Sequence, residues 1–245
     1  MKIGVVGNSH AGVLYRAANG HNWRSHTLEF LVDPGGSAPR IEVRDGALVR
    51  ADAERSPRAN EMPGRVDPAS CDAILFSSAG LPAHRTCRPH HALNSLLHAG
   101  FAPAPYKSHQ SVSGEVLALL LERRLLGLPN IQALRTIRSV FAGPFVIFTL
   151  PMPSRFIEQG TAEEVSDLPQ QYGDNVLPFM RWYYNLQTRI ICEQARQLGA
   201  SVVLPPKAFR EAGFSPQEFC SSDGWHTNLA YGRMMLDEAL KIIGG

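Results

Sequence analysis

Ser9 stands in Gly7-Asn8-Ser9-His10-Ala11-Gly12, close behind the N-terminus, and Asp223 and His226 stand in Ser221-Ser222-Asp223-Gly224-Trp225-His226-Thr227-Asn228 near the other end of the chain. A serine hydroxyl is a poor nucleophile near neutral pH. It becomes a good one when an imidazole within hydrogen-bond reach takes its proton and a third group orients that imidazole. Asp223 precedes His226 in D-x-x-H spacing, in a turn that leads into a helix, so its carboxylate can fold onto Nδ1 and leave Nε2 facing a substrate crevice. The pattern predicts a triad of Ser9, His226 and Asp223. The competing reading of the C-terminal segment is a helix N-terminus, with Asp223 or Thr227 as its cap and His226 at the surface.

The N-terminal segment has three readings of its own. One is a glycine-rich strand-to-helix turn without chemistry. Another is a dinucleotide fingerprint: Gly7-x-Ser9-x-x-Gly12 departs from G-x-G-x-x-G only at the middle glycine, and Asp33 lies at about the expected ~20-residue distance. A serine at that middle position puts a side chain where backbone must approach the pyrophosphate. The remaining reading makes Ser9 a nucleophile at the carboxyl end of a central parallel strand, beside the free N–H groups of a helix start. An α/β-hydrolase elbow fits less well, because Ser9 follows the first strand and Ala11 takes the place of the last glycine in G-x-S-x-G.

Taken together, the two segments resemble the SGNH (GDSL-like) hydrolases. The family's Gly-Asp-Ser block near the N-terminus is matched by Gly7-Asn8-Ser9, and its Asp-x-x-His block near the C-terminus by Asp223-Gly224-Trp225-His226. Gly-Asn-Ser-His-Ala is also similar to the Gly-Asp-Ser-His-Ala of SGNH domains attached to acyltransferases that modify surface polysaccharides. The resemblance implies a flavodoxin-like three-layer α/β/α fold with a parallel sheet of about five strands. It further implies a serine esterase acting on O-acyl, chiefly acetyl, esters of a carbohydrate, with O-acyl transfer to a glycan by the same triad as the alternative. A non-catalytic glycan- or nucleotide-binding protein is the third possibility. The family's oxyanion hole has the N–H of the nucleophile, here Ser9, a glycine after the second strand, and an Asn in Gly-x-Asn-Asp after the third. Gly35 or Gly36 can supply the glycine; the Asn is absent from Ser77-Ser78-Ala79-Gly80, so Ser78 or Gly80 would have to replace it.

These residues need a scaffold that brings the chain ends together. Short apolar runs at Lys2–Val6, Thr27–Val32, Asp72–Ser77, Phe145–Leu150 and Ser201–Leu204 predict strands. Amphipathic stretches at about Ala11–Ala18, Val112–Leu126, Ile131–Phe141, Phe179–Leu198 and Asn228–Ile243 predict helices, an alternation that calls for a parallel sheet covered on both faces. Trp182, Tyr183 and Tyr184 read as helix core. Two insertions break the rhythm, at about 34–70 and 79–111. The first carries Asp45-Gly46 between alternating runs, a type I′ hairpin projecting beside the sheet. The second has no acidic residue, and its Arg85 and Arg88 are expected, with His10 and Pro151, to contact substrate; an anionic glycan or an acyl-CoA donor would suit such a rim.

With 245 residues, 44% hydrophobic and 19% charged, the chain reads as one α/β domain over its whole length. A net charge of +2 is too small to imply nucleic acid, and no stretch approaches a membrane span or a signal h-region, so a cytoplasmic enzyme is expected. Cys71, Cys87, Cys192 and Cys220 form no C-x-x-C pair, and the adjacent His90 and His91 lack metal-ligand spacing, so neither a metal nor a cofactor is expected.

Overall fold

The first strand, β1 (Lys2–Gly7), is buried from Ile3 onward, as expected of a parallel strand covered on both faces. It is an interior strand, second from one edge of the sheet, in a computed structural model that describes residues 1–19, 26–34, 39–51, 61–80, 97–98, 100–101, 111–155, 172–222 and 226–244. The remaining strands are β2 (Thr27–Val32), β3 (Ile41–Arg44), β4 (Ala47–Arg50), β5 (Arg65–Val66), β6 (Ala73–Ala79), β7 (Leu97–His98), β8 (Ser111–Val112), β9 (Phe145–Thr149) and β10 (Ser201–Val203). The helices are α1 (Ser9–Asn19), α2 (Gly114–Leu126), α3 (Pro129–Val140), α4 (Val176–Gln197), α5 (Lys207–Ala212) and α6 (Leu229–Gly244).

A five-stranded sheet runs in the order β10-β9-β6-β1-β2, every neighbouring pair parallel. With its flanking helices this is the expected three-layer α/β/α fold. The chain moves from β1 outward to β2, then returns to the opposite side of β1 to lay down β6. The strand order therefore reverses between β1 and β6, the crevice where open parallel sheets gather their ligands. Register brings Gly7 opposite both Val32 and Ser77, so three strand ends lie level at that crevice. The pairing of β6 with β9 shifts between Phe76 and Ala79, a bulge at the same rim.

Alternating side chains of the strands fill two cores. On one face Val5, Leu75 and Phe148 pack with Ala11 and Leu14 of α1 and with Met235 and Leu236 of α6. On the other, Val6, Phe76 and Ile147 pack with Ile131 and Leu134 of α3 and Ile191 of α4. Tyr183 and Tyr184 are buried as expected, while Trp182 is only partly so.

The hairpin forms, with Asp45 and Gly46 both at positive φ (50° and 77°). It does not merely project: Leu48 is buried with Val66 and Leu31 in the second core, and β5, a strand too short to read from the sequence, completes a three-stranded antiparallel sheet. The backbone ties that sheet to β2 through Val32 N–H donating to Pro63 O at 2.8 Å. Helix α5 was likewise not anticipated. Most of the second insertion lies outside the described residues, apart from the short pair β7 and β8. Cys71, Cys192 and Cys220 are thiols, none in a disulfide, and Cys87 lies outside the described residues.

Candidate active site

Helix α1 begins at Ser9, two positions ahead of the expected Ala11, because Asn8 acts as its cap: the Asn8 Oδ1 accepts from the His10 N–H at 3.0 Å. Ser9 thus occupies the first turn of the helix, immediately beyond β1. The strand can turn so abruptly because residue 7 is glycine. A Cβ there would stand 2.8 Å from the Ser77 carbonyl oxygen and 3.1 Å from the Ala11 Cβ. Helix starts leave their first N–H groups without intrahelical acceptors, the kind of donor an oxyanion requires, and in α1 Asn8 takes the one from His10.

His226 arrives from the other end of the chain. Its carbonyl accepts from the Ser221 N–H at 2.7 Å, Asn228 N–H donates to Phe219 O at 3.0 Å, and Cys220 and Thr227 form an antiparallel bridge between them. The backbone from His226 to Asn228 is thereby clamped to the segment 219–221. The cap of α6 is Asn228, whose Oδ1 accepts from the N–H groups of Ala230 (3.0 Å) and Tyr231 (3.2 Å). The capping alternative for this segment named Asp223 or Thr227; Asn228 performs that role and leaves His226 to turn inward. His226 Nε2 lies 3.0 Å from Ser9 Oγ, and both residues are half-buried. Residues separated by almost the whole chain therefore meet at hydrogen-bond distance over the crevice between β1 and β6.

His10 stands beside the pair, its ring centroid 5.2 Å from that of His226 at an interplanar angle of 43°. His10 and Pro151 also share the wall of a small cavity, which adjoins the pair because Thr227 lines it as well. Gly80 follows β6 with φ of 132°, and its carbonyl accepts from the fully buried Asn130 side chain at 2.6 Å. That bond fixes the rim at which a third-strand oxyanion donor is expected, but it uses the carbonyl of Gly80, not its N–H. Ser78 belongs to β6 at the bulge. Asp223, Gly35, Gly36, Arg85 and Arg88 lie outside the described residues.

Asp33, the acidic residue of the dinucleotide reading, follows β2 and accepts from the Arg40 N–H through Oδ2 at 3.1 Å. Among the described residues no group of His, Cys, Asp and Glu is arranged to hold a metal ion, and no helix is long and apolar enough to cross a membrane. Two residues of the site, Asn130 and Tyr231, carry no signal in the sequence, whereas Thr149 and Pro151, at the end of the fourth strand and just beyond it, are where residues bordering the crevice are expected. Asn130 and Tyr231 each sit at an inward position of an apolar segment, where nothing in the local pattern separates a polar contact from ordinary core.

No protein-family model matches the chain, and no curated protein matches it. Among solved structures it is similar to a provisionally assigned SGNH hydrolase from Slackia heliotrinireducens, with 15% identity over 98% of each chain and a TM-score of 0.47. It is also similar to a lipase/acylhydrolase from Enterococcus faecalis (11% identity, 98% of this chain, 95% of that chain, TM-score 0.43). A third is the periplasmic domain of a lipopolysaccharide acetyltransferase from Salmonella ser. Paratyphi A (12% identity, 99% and 83%, TM-score 0.39). At identities and TM-scores this low, the likenesses assign neither a family nor an activity to the chain.

Proposed function

We propose that the chain is a serine esterase that cleaves short O-acyl esters, with a carbohydrate as the alcohol. The observation that carries this reading is the 3.0 Å separation of Ser9 Oγ and His226 Nε2 at the carboxyl end of the sheet. His226 takes the hydroxyl proton as Ser9 Oγ attacks the ester carbonyl carbon. The carbonyl oxygen becomes an oxyanion held by the N–H groups at the start of α1, with Gly35 or Gly36 and Ser78 or Gly80 as the further donors. Collapse of the tetrahedral species expels the sugar oxygen, which leaves with the proton from His226, and Ser9 remains acylated. Water, deprotonated by the same imidazole, then attacks the acyl-enzyme and releases the carboxylic acid and free Ser9. Asp223 is the proposed partner of Nδ1, and Arg85, Arg88, His10 and Pro151 are the proposed contacts of the alcohol portion.

The test is turnover of p-nitrophenyl acetate and of an acetylated oligosaccharide, with and without acetyl-CoA, by the wild type and by Ser9→Ala. Hydrolysis by the wild type that falls at least ~10³-fold in the variant is expected. Transfer from acetyl-CoA to a sugar without net hydrolysis would make the chain an acyltransferase. Wild type and variant equally inert on every substrate would remove Ser9 from any catalytic role.

A further inference from the structure

The cavity beside Ser9 and His226 has a volume of about 20 Å³ and lies between α1, α6 and the carboxyl ends of β6 and β9. Val13, Leu14, Phe148, Pro151 and Met235 form the apolar half of its walls, and His10, Ser77 and Thr227 stand among the polar residues of the other half. Two further lining residues, Thr149 and Tyr231, carry hydroxyls (Oγ1 and Oη) that are inaccessible to solvent and have no hydrogen-bond partner among the described residues. Thr149 is 4% and Tyr231 5% exposed. A buried hydroxyl without a partner is costly, so two of them in one cavity mark a place where a ligand atom completes the bonding. Burial pushes the Tyr231 phenol far above its ordinary range, so it stays neutral and able both to donate and to accept.

We infer that this cavity receives the acyl chain of the ester, and that Thr149 and Tyr231 select a short 2-hydroxyacyl group, such as 2-hydroxyacetyl, over an alkyl acyl group of equal length. The inference rests on the proposed ester-cleaving role of Ser9 and names the acyl group that role would act on. Location supports it: His10 and Thr227, the chain neighbours of Ser9 and His226, both line the cavity, so an acyl carbon bonded to Ser9 Oγ would point its substituent there. Size supports it too. One water-sized group needs roughly 10–15 Å³, so the cavity holds about two heavy atoms beyond the carbonyl and no long chain. Charge narrows the choice, since among the described residues no Lys or Arg lines the cavity to receive a carboxylate-bearing acyl group. A hydroxyl substituent can bond to both buried hydroxyls, whereas a methyl in its place leaves them unsatisfied, the situation in which polar sites discriminate most strongly.

The experiment compares phenyl 2-hydroxyacetate with phenyl propionate, which match in heavy atoms and differ only in the terminal OH or CH₃. The wild type, Tyr231→Phe and Thr149→Val are each assayed for kcat/KM. Reading the ratio in each variant against that in the wild type cancels the intrinsic reactivity of the two esters. The preference for the hydroxyacyl ester, read as the ratio of the two kcat/KM values, is expected to fall about tenfold in each variant. An unchanged ratio in both variants overturns the inference.

The second arm needs no catalysis: binding of 2-hydroxyacetamide and of propionamide to Ser9→Ala, followed by saturation-transfer NMR with and without the added Tyr231→Phe substitution. Tyr231-dependent preference for the hydroxyamide, with no esterase activity in the wild type, would uphold the cavity assignment and remove the hydrolytic reading. Ester hydrolysis without any preference in either arm would uphold the hydrolytic reading and overturn the assignment. Neither turnover nor preferential binding would overturn both.

Discussion

Replacing Tyr231 by Phe is expected to stabilise the unliganded protein, because it removes a buried hydroxyl that has no hydrogen-bond partner among the described residues and keeps the ring in place. The gain expected is about 1 kcal/mol in urea unfolding at neutral pH. Its pH dependence follows from the raised phenol. In the unfolded chain a tyrosine loses its proton near pH 10, whereas in the folded protein Tyr231 keeps it. Above about pH 10 the unfolded state therefore binds fewer protons than the folded state, and stability declines as pH rises. Tyr231→Phe should lack that part of the alkaline decline, as unfolding curves at pH 7 and about pH 10.5 would reveal. At this scale the sequence was informative where the chemistry is bare. Ser9 and His226 stand in glycine- and polar-rich turns, each of which has other readings when taken alone, and the triad emerges from the two segments together. Tyr231 and Thr149 stand inside apolar segments, and their hydroxyls acquire meaning only once α6 and β9 close on one cavity.

Among the elements, the turn from β1 into α1 sets the height and direction of Ser9. Gly7→Ala places a methyl 2.8 Å from the Ser77 carbonyl oxygen, which cannot retreat without breaking the register of β6 on β1. The expected cost is about 1–3 kcal/mol in unfolding free energy, with a loss of esterase activity of about 10²-fold as Ser9 shifts against His226. Asn130 offers a second test. Its side chain reaches from the first turn of α3 to the Gly80 carbonyl at 2.6 Å in a fully buried position, and Asn130→Leu should cost about 1–3 kcal/mol by leaving that carbonyl unsatisfied. The main strands and helices could be read from apolar runs and amphipathic periods because the sheet is buried on both faces. Their ends could not. α1 starts at Ser9, and not at Ala11, through one hydrogen bond that the His10 N–H donates to the Asn8 side chain, and β5 exists only because β4 gives a two-residue strand something to pair with.

Over the whole molecule, the triad hypothesis asks that a strand near residue 7 and a turn near residue 226 become neighbours, and the sheet order is what achieves this. α1 and α6 pack against one face of the sheet, with Gly232 letting α6 approach Val13 and Ala17 of α1 closely. At the far end of the molecule Arg138 ties two αβ connections together. It donates to the carbonyls of Phe141 and Gly143 after α3 and of Leu198 and Gly199 after α4. Arg138→Met is expected to lower stability by about 3 kcal/mol while leaving kcat/KM near the wild-type value, since the residue is remote from the crevice; thermal unfolding and ester turnover on one preparation would check both parts. Strand order was legible only as a class, because alternation of strands and helices requires a parallel sheet but does not state which strand lies at its centre. The second insertion kept its acid-free character as a sequence fact alone.

Reaction with a fluorophosphonate tests the pairing of Ser9 with His226 most directly, since the reagent phosphonylates a serine only when a neighbouring base activates it. Intact-mass and peptide analysis should find a single adduct on Ser9 in the wild type, none in Ser9→Ala, and labelling slowed by more than about 10²-fold in His226→Ala. Adduct on another serine, or labelling of Ser9 that proceeds equally fast without His226, would mean that the 3.0 Å approach of the two side chains is structural and that the chain does its chemistry elsewhere or not at all.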